Sequence, residues 1–272
     1  MLLSDSDDFE NLHDAMNEAL NSNIQEVRDS DVSPIHKNIH CYYNSVNAFV
    51  GPQGTGKTYS AMDEILKIML ASPKTHLLIY ISEFGEETRD PTIEKLKHLL
   101  KKPIVYITYE EAEDWFKEFI KYKRMYNDIK AEKLEDRVET SQAEEILNAL
   151  YVDDFSASCL HSLVLFDDVY DNPLLRPKTF FTRMLKLCRK IYCSFFLTFQ
   201  DWKGVIPEIK SQTTTAFIMG GFSKEKFSYI CRQIASKFDK DDLWRVYKTL
   251  NGSDKLIINN RTRNVDIARR NA

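Results

Sequence analysis

The sequence contains no run of about 18 apolar residues, so no segment of it is long enough to cross a bilayer as a helix. Paired cysteines are missing as well. Cys41, Cys159, Cys188, Cys193 and Cys231 are odd in number and form no CxxC unit, which points to reduced thiols in a cytosol-like compartment rather than a disulfide framework. Residues 1–30 lack the basic start and apolar stretch of a signal peptide and are rich in Asp and Glu instead. No internal repeat or low-complexity tract is present. Charge of neither sign dominates: the net charge of −4 argues against wholesale coating of a nucleic acid. Local patches remain, acidic over 1–30 and basic over 176–190 and 261–270. That distribution suits a protein touching a polyanion on one face, and equally a solvated surface.

What is present is enough chain, 272 residues, to bury a full α/β core. Residues 1–40 read as an acidic, poorly ordered or peripheral helical arm, with Leu12, Met16 and Leu20 at helical spacing. Residues 41–272 read as a single domain. In it, strand-like apolar runs alternate with amphipathic stretches, the signature of a mainly parallel sheet flanked by helices. The expected strands are Val46–Val50, 76–82, 103–108, His161–Phe166, Cys193–Phe199 and 214–219. Helices are expected after Lys57, Pro91, Glu110, Pro177, Ser223 and Asp239. Two short runs in a basic C-terminal extension over about 251–272, Lys255–Asn259 and Asn264–Ala268, suit a hairpin at the sheet edge. Residues 110–150 are densely charged and lack Gly and Pro, with Trp115, Phe119, Tyr122 and Tyr126 at three-to-four-residue spacing. This reads as a helical insertion, structural decoration first and a lid or partner-binding arm second.

The most specific signal is Gly51-Pro52-Gln53-Gly54-Thr55-Gly56-Lys57-Thr58, which follows an apolar strand and opens a helical pattern at Tyr59. Its glycines let the backbone bend around a phosphate with no Cβ in the way, while loop N–H groups and a helix N-terminus face the anion. With Gly near 7% of residues, this pattern arises by chance in roughly 1% of chains this long, so it carries the assignment to phosphate-loop nucleoside triphosphatases. Lys57 is placed to bridge the β- and γ-phosphates of ATP, and the Thr58 hydroxyl to bind Mg²⁺.

The partner motif is Leu163-Val164-Leu165-Phe166-Asp167-Asp168, an apolar run ending in carboxylates at the strand edge where α/β ligands bind. Asp167 is expected to hold Mg²⁺. Asp168, on the opposite side of the pleat, is expected to act as general base toward the attacking water. Asp153-Asp154 is a competing pair that no apolar strand leads into. Gln200 ends the run Cys193–Phe199, where its amide can sense the γ-phosphate or orient water; capping of the next turn is the alternative. Along 176–190, Phe181, Met184, Leu187 and Ile191 fall on one helical face and Arg183, Lys186 and Lys190 on another. Those cations suit DNA phosphates, an arginine reaching a neighbour's active site, or plain solvation. His36, His40 and Cys41 lack the partners that a metal site needs.

These residues resemble the FtsK–HerA superfamily, and within it the poxvirus-type genome-packaging ATPases of large DNA viruses, virophages and related elements. The resemblance covers residues 46–221 and rests on Gly51 to Thr58, the paired aspartates, the run from Arg189 to Gln200, and Ile206-Pro207-Glu208-Ile209-Lys210. Arg189 stands eleven residues before Gln200, as in the family, but Lys190 replaces the family's histidine and Lys210 its arginine. Asp-Asp at the second motif is closer to the viral branch than to the Asp-Glu of the wider superfamily.

The resemblance implies a RecA-like motor that hydrolyses ATP with Mg²⁺ and moves double-stranded DNA, in packaging members into a preformed capsid. It implies a ring-shaped homo-oligomer with sites at subunit interfaces, and Arg189 as the arginine acting in trans, with Arg183 in reserve. Capsid or portal protein would be further partners, in the host cytoplasm or virion. A helicase, helicase loader or remodelling ATPase remains an alternative, as does an ATP-binding assembly scaffold without turnover. GTP specificity has little support, since its nearest base-reading match, Ser236-Lys237-Phe238-Asp239, falls at a helix end.

Overall fold

Apolar runs bounded by turn residues become strands here because both faces of the central sheet are covered, so its inner strands are buried along their whole length. The computed structural model describes residues 43–85, 102–169, 172–235, 238–251 and 254–268. Within these, β1 (Val46–Val50), β2 (Thr75–Ser82), β3 (Ile104–Thr108), β4 (His161–Phe166), β5 (Cys193–Phe199) and β6 (Thr215–Met219) run parallel. β7 (Lys255–Asn259) and β8 (Asn264–Ala268) add an antiparallel hairpin to the edge of β6. The order is β3-β2-β4-β5-β1-β6-β7-β8. β5 therefore separates β1, which feeds the phosphate loop, from β4, which feeds the aspartates.

One face of the sheet is covered by α1 (Lys57–Ala71), whose Ala61, Met62, Ile65 and Met69 pack on Phe49, Leu78, Leu163, Phe196 and Phe217. Its neighbours on the same strands, Ala48, Leu77, Ile79, Val164 and Phe195, point to the other face and a second, larger core. Around that core lie α2 (Ala112–Glu132), α3 (Thr140–Leu150), α4 (Phe180–Lys186), α5 (Pro207–Gln212), α6 (Lys224–Ile234) and α7 (Lys240–Tyr247). Each Leu, Ile, Phe or Met fully buried in these layers contributes about 1.5–3 kcal/mol of transfer free energy.

The charged segment over 110–150 is more than decoration. α2 buries Phe116, Phe119 and Tyr126, and the Phe116 ring lies 5.2 Å from that of Phe181 and 6.3 Å from that of Phe195. It also buries Lys123, whose ammonium donates to Ser162 Oγ at 2.9 Å and to the Tyr192 carbonyl at 2.8 Å. Those bonds keep a charged head satisfied where desolvation lowers its pKa. α2 is thus a wall of the main core.

Other departures are local. α4 ends at Lys186, so Arg189 and Lys190 stand on the turn that leads into β5 rather than on a helix with Arg183. Ile206 caps α5, with Pro207 in the first helical turn, where its missing N–H costs nothing. The arm over 1–40 with His36, His40 and Cys41, the helix expected after Pro91, and Ser236-Lys237 lie outside the described residues. No described helix is long and apolar enough to cross a membrane.

A buried ion pair fastens the hairpin to α1: Lys255 Nζ lies 2.9 Å from Glu64 Oε1, with the side chains 7% and 9% exposed. Lys255→Met should lower stability by on the order of 3 kcal/mol, because it strands the Glu64 carboxylate in the core with only the longer contact to Lys67 at 3.5 Å. A denaturant midpoint unchanged from the parent protein would show that Glu64 does not depend on this partner.

Candidate active site

The ends of β1, β2, β3, β4 and β5 converge at the carboxyl edge of the parallel strands. The loop after β1 turns back on itself: Thr55 Oγ1 and Lys57 Nζ both donate to the Pro52 carbonyl, at 2.8 and 3.0 Å. Gly51 is required by close approach, since a Cβ there would lie 2.6 Å from that of Met219 on β6. Gly56 caps α1 with φ at +77°, a left-handed conformation that disfavours other residues. α1 has no side-chain cap and no acidic residue in its first turn. Its N-terminal N–H groups and dipole are left for an anion.

Across the edge, Asp167 follows β4. Its carboxylate accepts from Thr58 Oγ1 at 2.9 and 3.1 Å, from Thr198 Oγ1 at 2.7 Å and from Tyr80 OH at 3.1 Å. The Thr58 contact joins the phosphate loop to the second motif across 109 positions of sequence. Asp168 has a partner of its own: the Gln200 amide Nε2 donates to both its oxygens, at 3.2 and 2.9 Å. Lys57 is half-buried. Burial lowers its pKa, opposed by the carboxylates of Asp168 and Asp167.

Pleat alternation does not arrange the two aspartates. β4 ends at Phe166, Asp168 has φ at +45°, and both carboxylates line one cleft of about 800 Å³. The expectation that they lie on opposite sides assumed a strand that continues past its end. Glu83, Glu110 and Tyr109 share this cleft, with Phe84 exposed at 61% beside them. The Tyr109 hydroxyl donates to the Asp167 carbonyl at 3.3 Å. Its pKa is pushed up to about 12, by burial first and then by the carboxylates of Asp167, Asp168 and Glu83, so it keeps its proton at neutral pH.

Thr58, Asp167, Asp168 and Gln200 are brought together, with Lys57 in the same loop. Gly51, Pro52, Gln53, Gly54 and Thr55 form that loop, and Tyr59 is exposed on the first turn of α1. Arg189 is elsewhere. It is exposed before the start of β5, whereas Gln200 follows the end of that strand. Lys210 is half-buried and donates to Tyr229 OH on α6 at 3.3 Å. Asp154 accepts from its neighbour Ser156 N at 2.8 Å, in the loop entering the amino edge of β4. Asp239 caps α7 through the N–H groups of Asp241 and Asp242.

No family model matches the sequence, and no curated protein does. Solved structures do. The crystal structure of B204, the DNA-packaging ATPase from Sulfolobus turreted icosahedral virus, matches with a TM-score of 0.51 at 16% identity, covering 84% of this chain and 98% of that one. The chain shares its fold with a viral DNA-packaging ATPase. The genome packaging NTPase B204 of Sulfolobus turreted icosahedral virus 2 in complex with AMPPCP gives 0.48 at 14% identity, covering 83% of this chain and 97% of that chain. The cytoplasmic domain of the Thermomonospora curvata type VII secretion ATPase EccC gives 0.49 at 14%, over 82% of this chain and 25% of that chain.

Within the site, sequence reasoning missed Thr198, Tyr80 and Tyr109. Thr198 had a signal: it is the one hydroxyl late in an apolar strand, and Phe166 pairs with Leu197, which sets Thr198 abreast of Asp167. Tyr80 and Tyr109 had none, since aromatic residues at strand ends are ordinary.

Proposed function

We propose that the chain is a Mg²⁺-dependent ATPase of the packaging branch of the FtsK–HerA superfamily, working as a ring homo-oligomer that drives double-stranded DNA, as a viral genome, into a preformed capsid. The observation that carries ATP hydrolysis is the contact of Thr58 with Asp167, with Asp168 and Gln200 beside it. A phosphate loop, a metal-binding pair, a base and a polar amide share one edge of the sheet.

The donor set fits Mg²⁺. Thr58 and Asp167 offer hard oxygens, and no described group of three or more His, Cys, Asp or Glu side chains forms a closed metal cage. That suits an ion which completes its shell with water and phosphate. Bound there, it would neutralise charge on the β- and γ-phosphate oxygens.

The protein's own groups supply the rest. Lys57 exchanges the Pro52 carbonyl for the β- and γ-phosphates. The Asp168 carboxylate takes a proton from water as the water oxygen bonds to the γ-phosphorus. The bond from that phosphorus to the β–γ bridging oxygen breaks, and its electron pair leaves with ADP. Gln200 holds the carboxylate, and through it the water, in line.

Fold likeness and basic charge support the DNA reading. Arg183, Lys186, Arg189 and Lys190 are all exposed. A motor indifferent to sequence meets phosphates, so duplex DNA should stimulate turnover several-fold at low salt, and the stimulation should fall steeply as salt rises. Measuring ATP hydrolysis against DNA and salt decides it. Turnover unaffected by DNA would point to a remodelling ATPase, and tight ATP binding without turnover to a scaffold.

A further inference from the structure

The peptide unit between Asp167 and Asp168 is held at both ends by side chains from elsewhere in the sheet, one in β5 and one just past the end of β3. Its carbonyl accepts from Tyr109 OH at 3.3 Å, and its N–H donates to Thr198 Oγ1 at 2.7 Å. Just beyond it, Asp168 stands at φ +45° with no glycine to ease the turn. The main-chain pairing with β5 resumes one residue later, where Val169 N donates to the Thr198 carbonyl at 3.0 Å. The left-handed residue is therefore a single-residue kink, and the kink swings the Asp168 carboxylate onto Gln200. Left-handed backbone at a non-glycine residue persists where surrounding contacts over-determine it, and here two hydroxyls do so.

We infer that Tyr109 and Thr198 are positioning residues, a two-sided clamp on the Asp167–Asp168 peptide that aims the Asp168 carboxylate. The inference deepens the proposed hydrolysis and rests on Asp168 being its base. Tyr109 follows β3 and lies three residues before the start of α2, so the clamp also ties the aim of the base to the helix that walls the main core. Thr198 has a double duty, because the same hydroxyl donates to the Asp167 carboxylate. Tyr109 has no contact with either carboxylate's oxygens among those described for it, which makes it the cleaner probe.

Tyr109→Phe removes one oxygen and keeps the ring. It should leave the melting temperature and the equilibrium affinity for a non-hydrolysable ATP analogue unchanged, and lower kcat on the order of 10- to 100-fold with KM unaltered, as a misaimed base does. Thr198→Ser should keep activity near that of the parent, while Thr198→Val should lower kcat and speed deuterium exchange at the Asp168 amide. A Tyr109→Phe enzyme with unchanged kcat, or a Thr198→Val enzyme with unchanged exchange at that amide, overturns the clamp. Asp168→Asn separates the two layers of the argument. Full turnover in that variant sinks the base assignment itself, whereas its loss beside normal turnover in Tyr109→Phe sinks only the clamp.

Discussion

Lys57→Ala is expected to abolish ATP turnover, with a fall of at least 10²–10³-fold, the scale set by removing one electrostatic stabiliser from a transition state. The reasoning starts from charge. Asp167 and Asp168 bring two carboxylates to a site that must receive a polyanion, and Lys57 is the cation whose charge couples to both. Its ammonium rests on the Pro52 carbonyl at 3.0 Å, inside the loop that would wrap the phosphates, so it needs only a local turn to reach them. Without it, nucleotide affinity should fall together with kcat. Stability should change by no more than about 0.5 kcal/mol, because the side chain is only half-buried and supports no core contact. Lys57→Arg keeps the charge but replaces a compact ammonium by a broad planar fork, and should rescue little. Nucleotide titration and steady-state kinetics on the folded variants check both. Full activity in Lys57→Ala would remove the phosphate-loop assignment altogether.

How much of this was legible beforehand follows from what each feature depends on. Strands walled on both faces are predominantly apolar, so Val46–Val50, His161–Phe166 and Cys193–Phe199 stand out without any knowledge of their neighbours. That Lys57, Thr58, Asp167 and Asp168 meet at one sheet edge was legible because each belongs to a local motif. The role of α2 was hidden because buried Phe116, Phe119 and Tyr126 are diluted by charges on its other faces, and because one of its lysines, Lys123, is itself in the core. Thr198 and Tyr109 depend on register between strands far apart in sequence. The kink at Asp168 depends on both of them and carries no glycine to announce it.

Arg189→Ala tests the claim that the active unit is larger than one chain. Arg189 sits beyond the amino end of β5, a strand of seven residues, and Lys57 lies at the carboxyl edge, so about 20 Å of sheet separates them. No arginine side chain spans that distance, and Arg189 cannot serve the site of its own chain. In the proposed head-to-tail ring it would face the next subunit, where an arginine stabilising the transferred phosphoryl group is worth about 10³–10⁵ in kcat. Arg189→Ala alone should therefore lose turnover on that scale while binding ATP normally, and Asp168→Asn alone should lose it for want of a base. Mixed in equal amounts, the two inactive proteins should recover activity. Each Arg189→Ala subunit followed by an Asp168→Asn neighbour regains an arginine, and random assembly gives about one quarter of the interfaces this composition. Recovery near that fraction requires the arginine to act across the interface. Wild-type activity in Arg189→Ala alone would leave Arg189 with no part in the chemistry, and two inactive proteins that stay inactive when assembled together would remove its action across an interface.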